Sequence, residues 1–491
     1  MKKFLLRVFR IKTLFALGFV VAALASVLAI AIVIVNVRGQ RAWDAYAADA
    51  RQRGVKMTLD EYVQPPLPDA ENLAAVPLFS NPFTMTGEAQ TKAQEALSFP
   101  SKPETRWGCS MSDGQLSDLS AWQQVFVNAG TLSVASDDPG ADVLAAIEKL
   151  FGPTLAQLAE AERRPQARFP VKWERGFMAE LRHLQPIQAA NAIHRVRLAA
   201  HLARHEHAAA FAEIRGILRL YRAMEKEPAL ISGLVRIATL AGVTDGAWEG
   251  LVRGEWDDSE LAEIQAELGR IDVLSDYTFA IASERAGMNG ALALLRAGRT
   301  SAADNGLAEM SQDAVQRLAL RGSSCINGLL AYNQVAINRY FDTCLARIDT
   351  AAGRWHDLRR PDDDLFAVLA STPKRLFYCL YVVSTPAVPR IEKRYLSIYT
   401  TVQLTCTAFA LERCRRADGA YPETLDALAP KYIDAPPHDV IDGQPLRYRN
   451  TDDGRFLLYS VGMNAKDDGG KPGDAKSASD QLDWAWRWPA P

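Results

Sequence analysis

The stretch that decides how this chain is built is TLFALGFVVAALASVLAIAIVIVNV, residues 13–37, which contains no charged side chain. At about 1.5 Å of rise per residue, a helix of that length exceeds the roughly 30 Å hydrocarbon core of a bilayer, so it can span with some tilt. Lys2, Lys3, Arg7, Arg10 and Lys12 precede the run, whereas only Arg38 and Arg41 follow it closely. That asymmetry predicts a single pass through the inner (cytoplasmic) membrane, with a cytoplasmic N-terminus and a periplasmic or otherwise extracytoplasmic body. The lipid bilayer, met through Thr13 to Val37, is thus the first expected partner. A cleavable signal peptide is the competing reading, with Ala23-Leu24-Ala25 as a small-residue cleavage site. Cleavage there would leave the apolar Val27 to Val35 segment at the new N-terminus.

Outward from the anchor, the composition bounds the body. The 491 residues are 48% hydrophobic and 23% charged, enough to bury sizeable cores and to form two or more domains besides the anchor. A formal net charge of -2 supplies no global basic field, which argues against a nucleic-acid partner. Cys109, Cys325, Cys344, Cys379, Cys406 and Cys414 form no CxxC pair, so neither a structural zinc site nor a redox motif is indicated. On one helix Cys406 and Cys414 would stand about 12 Å apart, beyond disulfide reach, and they read as core side chains.

The patterning predicts a mainly α protein in four parts. Residues 1–40 form the cytoplasmic tip and transmembrane helix, 41–106 an extended lead-in draped over the body, 107–394 a helical bundle or short solenoid, and 395–491 a small α+β module. Within the helical part, Phe211, Ile214, Leu218 and Tyr221 make the stripe of an amphipathic helix. Pro228 is expected to open the next helix, and Asp257 with Glu260 reads as a capping box. Breaks are expected at Arg299 to Asn305 and around Arg360 to Pro373. In the last part a helix over Tyr395 to Arg416 should be followed by a short helix, Glu423 to Leu428. A hairpin then joins Leu446-Arg447-Tyr448 to Phe456-Leu457-Leu458-Tyr459 across Thr451 to Gly454.

The order of these signals carries a resemblance. A long helix, Asp418-Gly419-Ala420-Tyr421-Pro422, a short Leu-rich helix, Asp439 to Gly443, a hairpin, Ser460-Val461-Gly462 and an Asp/Gly loop closing near Trp484 resemble the C-terminal half of type II secretion major pseudopilins. The match covers about Leu396 to Trp484. It departs from the family in having Asp439-Val440 for the usual Asp-Pro pair, and in lacking the prepilin peptidase site with its glutamate. The chain as a whole resembles uncharacterised membrane-anchored bacterial envelope proteins, for which no activity is implied.

The resemblance implies a calcium site in the loop after the hairpin. Asn464, Asp467, Asp468, Asp480 and Asp483 would supply side-chain oxygens and Val461 a carbonyl, the hard-oxygen set such an ion prefers. Only Asn464 and Asp480 sit near the family's ligand positions, and Asn464 replaces a charged residue. The plainer alternative is a solvated acidic turn. His194, His201 and His205 share one helical face by spacing, opposite Val196, Ala200 and Ala203, and His201 with His205 has the spacing of helical zinc pairs. No HExxH motif accompanies them, and an exposed or inter-helix polar face is the expectation. Ser323 lies outside any GxSxG elbow and reads as a cap or turn residue, while Asp362 to Asp364 read as a solvated charge run. Trp484, Trp486 and Trp488 would line one side of an extended segment, either packed on the hairpin or free to stack on a glycan or a partner. With no catalytic motif in view, the expected function is a non-catalytic membrane-tethered envelope scaffold or secretion-associated interaction protein. A membrane-tethered hydrolase acting on envelope material is the alternative.

Overall fold

A computed structural model of the chain describes residues 2–103, 108–298, 326–356, 374, 377–384, 388–471 and 483–489. Asp480, Ser323, Cys325, the Asp362 to Asp364 run and the whole of both expected breaks lie outside these residues. The described protein is mainly helical, with small antiparallel sheets in its C-terminal part.

Helix α1 (Lys2–Gln52) runs unbroken through the apolar stretch and well past it. Its two ends differ sharply. Phe15 and Phe19 are 76% and 77% exposed, whereas Tyr46, Ala47 and Ala50 are buried. An apolar surface on that scale is costly in water, and only the far end of the helix gains a protein partner.

The lead-in holds short 3-10 turns with α2 (Pro77–Ser80) and α3 (Gly87–Glu95). It is tied to the body: the Leu73 amide donates to the Gln166 carbonyl at 2.8 Å, and Arg168 Nε donates to the Gln64 carbonyl at 2.8 Å. The body follows as α4 (Leu119–Asn128), α5 (Pro139–Glu162), α6 (Leu184–Ala203), α7 (His207–Ala223), α8 (Leu230–Arg253), α9 (Asp258–Gly269) and α10 (Val273–Arg296). Four of these starts are set locally. Asp118, Asp138, Asp257 and Asp272 each accept a backbone N–H of the first turn, and Asp257 completes the capping box with Glu260. The Phe211, Ile214, Leu218 and Tyr221 stripe is buried.

Helix α8 departs from expectation at its start. Pro228 stays outside it, and Ala229 is the extended N-cap at φ −141°, with no side-chain oxygen to offer. The first N–H groups of α8 must therefore find partners elsewhere.

After α11 (Asn327–Ala346) come the two-residue strands β1 (Ile348–Asp349) and β2 (Arg354–Trp355), which pair antiparallel where the sequence reading had only helix. Gly353, at φ +62°, turns the chain between them. Helix α12 (Cys379–Ser384) leads to α13 (Val388–Asp418), longer at both ends than predicted. The expected short helix is a 3-10 turn, Leu425–Leu428. The hairpin forms as β3 (Arg447–Asn450) and β4 (Phe456–Ser460), and β5 (Trp484–Trp486) adds to β4 as the third strand.

Helix α13 is enclosed. It packs on α8, α9 and α10 along one side and on β4 and β5 along another. Phe409 and Ala410 are fully buried, while Cys406 lies against the Gln265 carbonyl of α9 at 3.8 Å. One hydrophobic cluster runs from Cys109 through α7, α8, α10 and α13 to Trp486. Trp486 is buried, Trp484 and Trp488 are partly buried on the same cluster, and Trp488 Nε1 donates to the Phe456 carbonyl at 3.1 Å. The three indoles are therefore packed on the hairpin.

Candidate functional site

The Asp/Gly loop is organised by its own hydrogen bonds. Asp467 Oδ1 accepts from Tyr459 Oη and from the Gly469 amide, both at 2.9 Å. Asp483, 3% exposed, accepts from the Gly470 amide at 2.7 Å and from the Asp468 amide at 3.1 Å. Asn464 Nδ2 donates to Asp468 at 3.0 Å. Burial pushes the Asp483 carboxyl above its ordinary range, opposed by those amides and reinforced by the charges of Asp468 and Asp467. Asp467 is held low, chiefly by the Gly469 amide.

Beside the loop, Arg447 pairs with Asp442 and stands 3.9 Å from both Asp439 and Asp467, so a protein cation already serves this acidic corner. Asp439 itself is buried and accepts from Ser460 Oγ and from the Ile441 and Val461 amides. The described oxygens of Asn464, Asp467, Asp468 and Asp483 thus face hydrogen-bond donors, and among the described residues no group of three or more His, Cys, Asp or Glu side chains gathers as a metal site.

The histidines are separated by the fold. His194 and His201 lie on α6, but α6 ends at Ala203, and His205 sits in the following turn at φ +58°. His194 Nδ1 meets Glu213 of α7 at 2.6 Å, and its ring lies where a Cβ on Gly216 would stand, 2.5 Å from Cε1. Arg197 Nε also bonds Glu213, at 2.6 Å, while His201 pairs with Glu206 and His205 with Glu255. Burial raises the Glu213 carboxyl, but the bond and charge of His194, with those of Arg197, outweigh it and leave it lowered. The His194–Glu213 pair, with Arg197 on the same carboxylate, joins α6 to α7, whereas His201 and His205 pair with carboxylates outside the helices. The face expected opposite them is no more exposed: Val196 and Ala200 are buried too.

Two features were not read from the sequence. The first is the seam between α1 and α11. A Cβ on Gly39 would stand 2.3 Å from the Gly328 carbonyl oxygen, and one on Gly328 2.2 Å from the Val35 carbonyl oxygen, so the two backbones touch. Asn36 Oδ1 accepts the Gly328 amide at 2.8 Å. Further along, Asp342 of α11 accepts from Tyr46 Oη at 2.8 Å, Arg53 at 3.2 Å and Arg285 of α10 at 2.8 Å. The Tyr46 hydroxyl is driven up by burial and by that bond. Asn289, Gln334 and Asn338 bond to one another, and Arg296 joins Gln334 to Gln40 of α1.

The second feature is a pair of cavities. One, of about 450 Å³, is lined by apolar groups including Leu78, Pro82, Met85, Leu97 and Pro186, with Gln90 and Gln94 also on its wall. The other, of about 260 Å³, lies between the start of α8, α10 and the 173–178 turn, and among its described lining residues Glu284 alone is charged. A signal for Glu284 existed: it falls seven residues after Tyr277 and four before Met288, both buried on α10, and is itself partly buried. Comparison with known protein families, curated proteins and solved structures finds no match to this chain.

Proposed function

We propose that the chain is a membrane-tethered envelope scaffold, a non-catalytic protein whose helical body stands outside the cytoplasm and docks other envelope or secretion components. The observation that carries this reading is the α1/α11 seam. The helix that is largely bare and apolar from Phe15 to Ile34 is rooted in the body by backbone contacts of Val35 and Gly39 with Gly328 and by the Asp342 hub. Such a root presents the body at a set distance and orientation from the bilayer, which suits a docking platform better than a loose linker would. The apolar cavity near Leu78 and Met85 suits a partner's side chains, and a long helix against a small antiparallel sheet is compatible with the pseudopilin resemblance.

The hydrolase alternative would use the smaller cavity, where Ser283 and Glu284 are neighbours, but the Ser283 hydroxyl is engaged with the Ala280 carbonyl at 3.0 Å. Two measurements test the scaffold. A reporter fused after Arg41 should be active only outside the cytoplasm, and activity confined to the cytoplasm overturns the orientation. Photocross-linkers at Gln90 and Gln94 in cells should give discrete adducts with envelope proteins. No adduct from either position, together with hydrolysis of envelope polymers by the purified protein, favours the alternative.

Calcium belongs to the same proposal. Asp467, Asp468 and Asp483 repel one another, and a bound divalent ion would relieve that while tying the loop to β4 and β5. Saturating calcium should then raise the melting temperature of the purified chain above its value in chelator. Coincident melting curves would leave the loop as a plain acidic turn, balanced by Arg447 and by its own backbone amides.

A further inference from the structure

The smaller cavity is built differently from the acidic loop. Its walls are Leu59, Trp173, Leu181, Leu230, Ile231 and Leu234 with small residues between them, and into this apolar setting α10 places the Glu284 carboxyl. The carboxyl lies near the start of α8, the helix end whose N-cap Ala229 has no side-chain oxygen, and the Leu230 amide there favours its ionised form. A carboxylate has about four acceptor sites, enough to take a ligand's donors as well. Glu284 is partly buried, and desolvation by these walls pushes its carboxyl up to about 7, so its ionisation is opposed by lost hydration.

We propose that this cavity is a binding site for a compact apolar molecule bearing one primary ammonium group, of aralkylamine size, with Glu284 as its counter-charge. The chemistry selects against the other classes. An anion would meet the carboxylate in a low-dielectric wall, and a neutral apolar ligand would strip it of water without replacing that hydration. An ammonium group supplies three donors and the opposite charge. The Trp173 indole is a wall on which an aromatic body can lie and which attracts a cation. A volume of about 260 Å³ holds on the order of ten non-hydrogen atoms, taking roughly 30 Å³ for each water-sized group. Ile231, 51% exposed, lies on the lining where solvent reaches it and marks a way in.

The test is calorimetric titration of the full chain in nanodiscs with 2-phenylethylamine and with its neutral isostere 2-phenylethanol, empty nanodiscs serving as the blank. The amine should bind saturably and at least about tenfold more tightly than the alcohol, a difference of about 1.4 kcal/mol. Glu284→Gln, which keeps an acceptor for the Leu230 amide, should erase the preference, and Ile231→Trp, which fills the entrance from an exposed position, should abolish binding of both. Equal binding of amine and alcohol to the unaltered chain overturns the proposal, as does absence of saturable heat. Should Glu284→Gln fail to fold, undiminished amine binding by Ile231→Trp overturns it equally.

Discussion

The α1/α11 seam and the Asp/Gly loop hold polar groups of the same kinds and use them in opposite ways. In the loop, each described carboxylate is bonded to groups within about fifteen residues, mostly backbone amides, and Asp467 remains half exposed at 51%. In the seam, Asp342 joins residues 296, 289 and 57 positions away, and two helices meet backbone to backbone. A locally satisfied carboxylate orders one turn, and much of that order costs little to lose. A carboxylate satisfied across the fold holds separate helices together, and removing it leaves the buried Arg285 without its counter-charge, although Arg53 keeps Asp49.

The contrast can be broken or sharpened by substitution, read as denaturant midpoints of the purified chain in one detergent. Gly328→Leu should have the largest effect, about 3 kcal/mol, because the intruding side chain meets the Val35 carbonyl and Asn36 backbone rather than a movable side chain. Asp342→Ala should cost about 2 kcal/mol, since it leaves Arg285, 4% exposed, without its carboxylate, while partial exposure of Asp342 softens the loss. Asp467→Asn should stay within about 0.5 kcal/mol, because an asparagine oxygen still accepts from Tyr459 and Gly469 and the site is open to water. If the loop substitution costs as much as the seam substitution, the distinction between local and long-range satisfaction fails for this protein.

Much of the helical layout was legible because it is written in short-range chemistry. Asp257 and Glu260 cap α9 using only their own turn, and Phe211 to Tyr221 announce their buried face by spacing alone. The hairpin was legible for the same reason, with Thr451 to Gly454 turning between two runs that pair in register from Arg447–Tyr459 to Asn450–Phe456. The errors fall where a distant partner overrides the local signal. Pro228 marks a helix start by propensity, yet α8 begins at Leu230, with the extended Ala229 as its N-cap and Glu284 of α10 nearby. His205 has helical spacing from His201, yet the chain turns before it, and Glu255 holds it outside α6. The two-residue strands β1 and β2 carry too little periodicity to be seen at all.

By itself the sequence determined the apolar run from Thr13 to Val37, the mainly helical body and the closing hairpin, because hydropathy, capping and turn chemistry act over a few residues. Only the tertiary structure decided what those elements do to one another. It set Gly39 against Gly328, gathered Tyr46, Arg53 and Arg285 on Asp342, packed α13 on helices and on strands, and placed Glu284 in a largely apolar lining. A glycine at a crossing and a glutamate in a cavity look the same in sequence as a glycine in a turn and a glutamate in water. What distinguishes them is the desolvation and contact imposed by chain segments that the local sequence does not contain.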